Sequence, residues 1–233
     1  SAKTNIYLQA QGNVTVADSV NITTRGGSLT VGGANDLGRA LGGTQGQAGS
    51  FTLGTGTIST VGVDDAPGGA VTIKSVVRSD ASLQAATTGN ILIKGDITTT
   101  GGTAIGAGEA GGAVTIRAGV REGDGVTSAS AGTITFNSNA DINTSGTNGV
   151  SGATGGAGGA VILDTNSNTI TLKDTEINTS GGTSSGTAGV GGAITISDAL
   201  EISTGGVTLN TGATAGAVTI SSTISGGTDL DIT

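Results

Sequence analysis

The sequence predicts an all-β fold, a right-handed parallel β-helix (β-solenoid) of about ten coils of roughly 20 residues, forming a single domain over residues 1–233. Three observations predict it: a short phrase repeated from end to end, strict two-residue alternation inside each copy, and a composition that lacks the side chains of an ordinary core.

The phrase is x-Gly-small-apolar-Thr-apolar. Its copies begin at Gln11, Gly26, Ala48, Gly68, Thr88, Gly111, Ala131, Gly158, Ser167, Gly191, Thr204 and Ala215. Between Gly49 and Gly132 the second-position glycines (Gly49, Gly69, Gly89, Gly112, Gly132) recur at 20, 20, 23 and 20 residues, so each copy reads as the strand of one coil. Within a copy, apolar residues flank a middle residue, as in Val71-Thr72-Ile73, Val114-Thr115-Ile116 and Ile194-Thr195-Ile196. That period of two buries one face and leaves the other in water. The preceding glycine stands where the chain turns a corner.

A second phrase follows the first: Ile22-Thr-Thr-Arg-Gly, Ile58-Ser-Thr-Val-Gly, Ile97-Thr-Thr-Thr-Gly, Ile142-Asn-Thr-Ser-Gly and Ile177-Asn-Thr-Ser-Gly, then shorter forms at Ile202 and Ile224. It reads as another strand of the same coil. Glycine-rich excursions over 42–49, 101–112, 146–159 and 181–192 are expected to project from one edge. After Gly159 the copies come at irregular intervals, which predicts either the phrase on more than one face or a shrinking cross-section. No helix pattern with caps is present.

The chain has 46 Gly, 1% aromatic residues and no Cys, Met, Trp or His. Burial therefore falls to stacked Val, Ile, Ala and Thr, with Phe51 and Phe136 at core positions. The net charge of −8, with only nine scattered Lys and Arg, argues against nucleic acid and anionic membranes as partners. No stretch is apolar enough for a membrane helix, and no basic-then-apolar leader opens at Ser1, so the chain is expected to be a fragment or a subunit of a longer assembly.

These residues resemble the filamentous-haemagglutinin-like β-helical adhesins and related bacterial surface proteins. The segment GNILIKGDITTTGGTAIGAGEAGGAVTI, residues 89–116, carries the resemblance best. It implies an extracellular or cell-surface bacterial β-solenoid that serves as an adhesin, a matrix fibre or a stalk.

Candidate chemistry is sparse. Gly106-Ala-Gly-Glu-Ala-Gly111 satisfies G-x-G-x-x-G, yet a strand rather than a helix follows it, so no dinucleotide site is expected. Asp164-Thr-Asn166-Ser-Asn168 copies the start of a calcium loop, but Thr169 and Thr175 stand where Gly and Glu belong, so Asx turns are expected. Asp64-Asp65 and Glu122-Gly-Asp124 are solvated loop acids, and weak Ca²⁺ binding is the only cofactor chemistry they leave open. Asp96, Asp141, Glu176 and Glu201 each precede a second-phrase isoleucine, a spaced acidic column that could hold Ca²⁺ or keep its face soluble, the second being the leading expectation. The sequons at Asn13, Asn21, Asn143 and Asn178 are expected by chance in a Thr-rich chain.

The one surface feature with binding potential is the row of outward threonines, represented by Thr72, Thr115, Thr135, Thr171, Thr195, Thr208 and Thr219. The leading functional expectation is a non-enzymatic structural or adhesive rod that pairs end to end with itself or with further coils of a longer chain, because strand-like sequence at Ile6-Tyr7-Leu8 and Leu230-Asp-Ile232 carries no cap. The alternative is an ice-binding or surface-glycan-binding face built on the threonines. A carboxylate-dependent polysaccharide-cleaving enzyme comes third, weakened by the absence of His and by a single Tyr, Tyr7, for sugar stacking.

Overall fold

Each turn of the chain lays down three short strands, and every turn places its apolar residues above those of the turn below. The structure is a computed structural model. It describes residues 3–10, 13–32, 49–76, 89–120, 132–137, 139–214, 216–227 and 229–233. Among the described residues there are 21 strands and no helix.

Coil one carries β1 (Ile6–Gln9), β2 (Val14–Val16) and β3 (Ile22–Thr23); coil two carries β4 (Leu29–Gly32), β5 (Phe51–Leu53) and β6 (Ile58–Ser59). Coil three has β7 (Val71–Val76), β8 (Ile91–Ile93) and β9 (Ile97–Thr98); coil four has β10 (Val114–Val120), β11 (Ile134–Phe136) and β12 (Ile142–Asn143). Coil five has β13 (Val161–Asp164), β14 (Thr169–Leu172) and β15 (Thr175–Asn178); coil six has β16 (Ile194–Ile196), β17 (Ala199–Ile202) and β18 (Val207–Asn210). Coil seven closes with β19 (Val218–Ile220), β20 (Ile224–Gly226) and β21 (Leu230–Ile232). The first strands of the coils form one seven-stranded sheet, the second strands another and the third strands a third, with parallel pairing throughout. This is a parallel β-helix.

The coil count differs from the expectation of ten. Among the described residues there are seven coils, and their stack is roughly 30 Å long at the inter-strand spacing of about 4.8 Å. The 20-residue period is half a coil, because Gly69 and Gly112 enter the first sheet while Gly49, Gly89 and Gly132 enter the second. Register partners along the first sheet are Ile6, Leu29, Val71, Val114, Val161, Ile194 and Val218, so coils differ widely in length while their strands stay aligned. The phrase stands on two faces from the start, and the copy at Thr204 supplies β18 on the third. Ile202 and Ile224, read as second-phrase residues, lie in the second sheet.

Alternation holds as expected. Val71, Ile73, Val114, Ile116, Ile194 and Ile196 are fully buried, and Thr72, Thr115 and Thr195 between them face outward, partly exposed. Phe51 and Phe136 are buried in one continuous core with the inward Val, Ile and Leu of all three sheets.

The coil closes through a polar clasp inside this apolar interior. Thr24, Thr60, Thr99, Thr144 and Thr179, each the residue directly after the third-sheet strand of its coil, are buried. Each hydroxyl donates to the carbonyl of the glycine that opens the next coil: Gly27, Gly69, Gly112, Gly159 and Gly192, at 2.5 to 2.7 Å. The same glycine returns its N–H to the threonine carbonyl, at 2.7 Å for Gly112 and Thr99. The threonine N–H donates to the following coil, as Thr99 does to Asn143 O at 2.8 Å, so no backbone or hydroxyl group of the threonine is left unpaired in the core.

Glycine is obligatory at the clasp for a packing reason. A Cβ on Gly112 would lie 2.2 Å from the carbonyl oxygen of Gly69 one coil below, and a Cβ on Gly111 would lie 1.8 Å from that of Thr144 one coil above. The clasped residues are 3, 9, 13, 15 and 13 positions apart in the chain. Whatever length intervenes is therefore expelled from one edge of the stack without disturbing the sheets.

The excursions over 101–111, 146–158 and 181–191 do leave from this edge. They are ordered by one another: Gly108 N–H donates to Thr154 O, Val150 N–H to Gly106 O and Gly182 N–H to Gly156 O, at 2.7 to 2.9 Å. The result is a wing of stacked glycine-rich limbs that continues the coil repeat outward. The segment 42–49 comes between β4 and β5 in the chain, and its residues 42–48 lie outside the described residues.

Two outcomes follow for stability. Thr99→Val and Thr144→Val keep shape but orphan a buried glycine carbonyl, and each should lower unfolding free energy by about 1–3 kcal/mol in urea denaturation. Gly112→Ala should cost more than either, because only backbone can yield to the added methyl.

Candidate functional site

The threonine row divides among three faces. Thr72, Thr115, Thr195 and Thr219 stack in one column of the first sheet, Tyr7-Thr30-Thr72-Thr115-Ile162-Thr195-Thr219. Thr135 and Thr171 belong to the second sheet, in the column Thr15-Thr52-Leu92-Thr135-Thr171-Glu201-Ser225. Thr208 stands on the third sheet between Glu176 and Asp231. One continuous seven-residue ladder therefore does not form, since copies of one phrase enter different sheets.

The acidic column is likewise rearranged. Asp96, Asp141 and Glu176 stack on three successive coils of the third sheet, and the Asp141 N–H donates to Asp96 Oδ1 at 3.1 Å while the Glu176 N–H donates to Asp141 Oδ1 at 2.7 Å. Glu201 is on the second sheet and accepts from the Thr171 hydroxyl at 3.2 Å. The Asp96, Asp141 and Glu201 carboxylates tie coil to coil through charge-assisted bonds.

The same device recurs with asparagine. Asn5, Asn13, Asn21 and Asn90 each immediately precede a strand, and their Oδ1 atoms accept the N–H of Ser28, Ser50, Thr57 and Thr133 in the next coil at 2.9 to 3.0 Å. Asn143, Asn178 and Asn210 instead accept the N–H two residues on, closing Asx turns at 2.9 to 3.0 Å. The sequon asparagines are thus all engaged in structure. Asn or Asp directly before an apolar strand residue is the sequence signal of this role.

The calcium-loop resemblance resolves into an anion nest. Asp164 Oδ1 accepts Asn166 N–H at 3.0 Å, and Asn166 and Ser167 take positive φ of 53° and 81°. The Asp198 carboxylate of the next coil then receives Thr165 N–H at 2.7 Å, Thr165 Oγ1 at 3.1 Å and Ser167 N–H at 2.9 Å. Donors converge there on a carboxylate, the reverse of a cation site.

Asp65 accepts the Ile105 N–H at 3.3 Å, and Glu122-Gly-Asp124 lies outside the described residues. Among the described residues no three His, Cys, Asp or Glu side chains gather as a metal site. The Gly106–Gly111 stretch is a limb of the wing that leads into β10; its Gly108 N–H is bonded to Thr154 O and its Gly111 N–H to Ala157 O, so both are turned to the neighbouring coil.

Thr55, Lys94, Asn137, Lys173 and Thr204, one from each of five successive coils, line a shallow open groove at the corner between the second and third sheets. Asp96 and Asp174 stand close in sequence to its two lysines.

No family model, curated protein or solved structure matches the chain.

Removing the nest's anion gives a direct check. Asp198→Ala leaves the Thr165 and Ser167 donors without their acceptor and should destabilise the protein by about 1–3 kcal/mol, read by urea denaturation, with added Ca²⁺ giving no compensating rise in Tm.

Proposed function

We propose that the chain is a structural or adhesive rod of a bacterial surface or extracellular matrix fibre, without catalytic activity, resembling the filamentous-haemagglutinin-like adhesins. One observation supports this above the others: Asn5, Asn13, Asn21, Asn90, Asp96 and Asp141 bond the next coil and Asp198 the preceding one, and these are polar side chains from which a reactive site would be drawn. Polar chemistry is invested in axial cohesion.

Axial pairing with another coil, from a longer chain or a second copy, fits the same reading. In coil seven Ile224 and Ile232 are 51% and 53% exposed although they continue inward rows, and Val218, Ile220 and Leu230 are only partly covered. On either side of β21 the backbone of Asp229 and Thr233 is turned to β18, with Val207 N–H donating to Asp229 O and Thr233 N–H to Leu209 O. By strand alternation the groups of Leu230 and Ile232 face away, an edge open to pairing.

A second reading, recognition of ice or a surface glycan, draws on the first sheet alone. There Thr72, Thr115, Thr195 and Thr219 flank Ile162, next to a parallel column of Ala70, Ala113, Ala160, Ala193 and Ala217. The strip is uncharged.

For the rod, electron microscopy and light scattering over a concentration series should show elongated assemblies, and Ile224→Lys with Ile232→Lys should abolish them; a wild-type chain that stays a 21.9 kDa monomer at every concentration would refute axial self-pairing. For the second reading, a Thr72→Tyr, Thr115→Tyr variant should keep its Tm while losing ice-recrystallisation inhibition or glycan-array signal, and a wild-type protein inactive in both assays rejects it.

A further inference from the structure

The sequence contains one Asn-Gly pair, Asn148-Gly149, and it lies in the wing, in the excursion of coil four. In a flexible chain this pair is chemically labile. The Gly149 nitrogen, with no side chain on its own residue to hinder approach, attacks Cγ of Asn148; the side-chain nitrogen leaves as ammonia and a succinimide ring forms. Water then opens the ring to aspartate or isoaspartate. No oxidant or enzyme is needed.

Here both reacting groups are held by one residue of the coil above. Thr183 N–H donates to Asn148 Oδ1 at 2.8 Å, and Gly149 N–H donates to Thr183 O at 3.1 Å. Cyclisation requires the Gly149 nitrogen to turn away from Thr183 and the Asn148 carboxamide to rotate toward it, so both bonds break together. Asn148 is nonetheless exposed, so solvent reaches the site as soon as the limb 181–191 lifts away. The other exposed asparagines are followed by residues bearing a Cβ, which slows the same attack.

We infer that Asn148 is a deamidation site gated by stacking of the wing, a one-way covalent mark of wing opening. The aspartate product adds a negative charge at 148 and can still accept the Thr183 N–H. The isoaspartate product inserts a methylene into the backbone, which breaks the register between the limbs of coils four and five and keeps the wing open.

The test follows the gain of about 1 Da at Asn148 by peptide mapping at pH 8 and 37 °C, with ammonia release as a second readout, in folded protein and in the same chain in urea. Gating predicts that the folded rate is at least about tenfold lower than in urea, as an opening equilibrium would impose. Thr183→Pro, which removes the donor to Asn148, should bring the folded rate to within a few-fold of the urea rate; Thr183→Ala, which keeps both backbone groups, should leave it unchanged. Native-state hydrogen exchange of the Gly149 N–H should show a protection factor matching the ratio of urea to folded rates within about threefold, which tests the gate even if the proline variant unfolds. Equal rates in folded and unfolded chain, or protection that disagrees with the rate ratio, would overturn the inference.

Discussion

The clasp between a buried threonine and a glycine makes the solenoid possible. Three-strand coils with arbitrary insertions have to return to the same point after each turn, and a narrow apolar interior offers little to specify that point. The Thr99 hydroxyl and carbonyl grip both backbone groups of Gly112 across 13 residues, and Thr144 does the same to Gly159 across 15. Because the pair is buried and doubly bonded, its energy depends on local geometry and is insensitive to loop length, whose entropic cost grows only slowly. The strands need only stack once the neck is closed.

A second layer of cohesion acts at the entrances to the strands. Asn5, Asn13, Asn21 and Asn90, and in the third sheet Asp96 and Asp141, reach up to N–H groups of the coil above. Such residues have low strand propensity and resist the middle of a strand, yet directly before one their short side chains reach an otherwise unpaired donor. Asp198 works in the opposite direction and more densely, receiving two N–H groups and one hydroxyl from the turn below. A carboxylate in this setting binds backbone, which accounts for an acidic chain whose acids do not assemble into a cation site among the described residues.

The wing applies the coil repeat to segments that contain almost no apolar side chains. Glycine lets limbs approach until carbonyl and N–H meet directly, as with Gly182 and Gly156, so segments that read as flexible by composition are ordered by backbone bonding. Ile105, 76% exposed, and Val150 and Val190 stand outward on this surface, the apolar residues that the wing cannot bury.

The sequence by itself determined the strand class, the inward rows and the edge from which most excursions leave, because period-two alternation admits one face for burial and a one-residue slip would expose every isoleucine. It also showed Phe51 and Phe136 as core. Only the tertiary structure decided how many strands make a coil, because copies of one phrase at 20 residues look alike whether they stack on one sheet or alternate between two. That ambiguity turned seven coils into ten and joined Thr72, Thr135 and Thr208 into one row when they stand on three faces. The buried row of Thr60, Thr99, Thr144 and Thr179 was hidden for a related reason: inward and outward threonines are chemically identical in sequence, and only a glycine carbonyl within hydrogen-bond reach, supplied by a residue 9 to 15 positions away, makes a threonine more stable inside than in water.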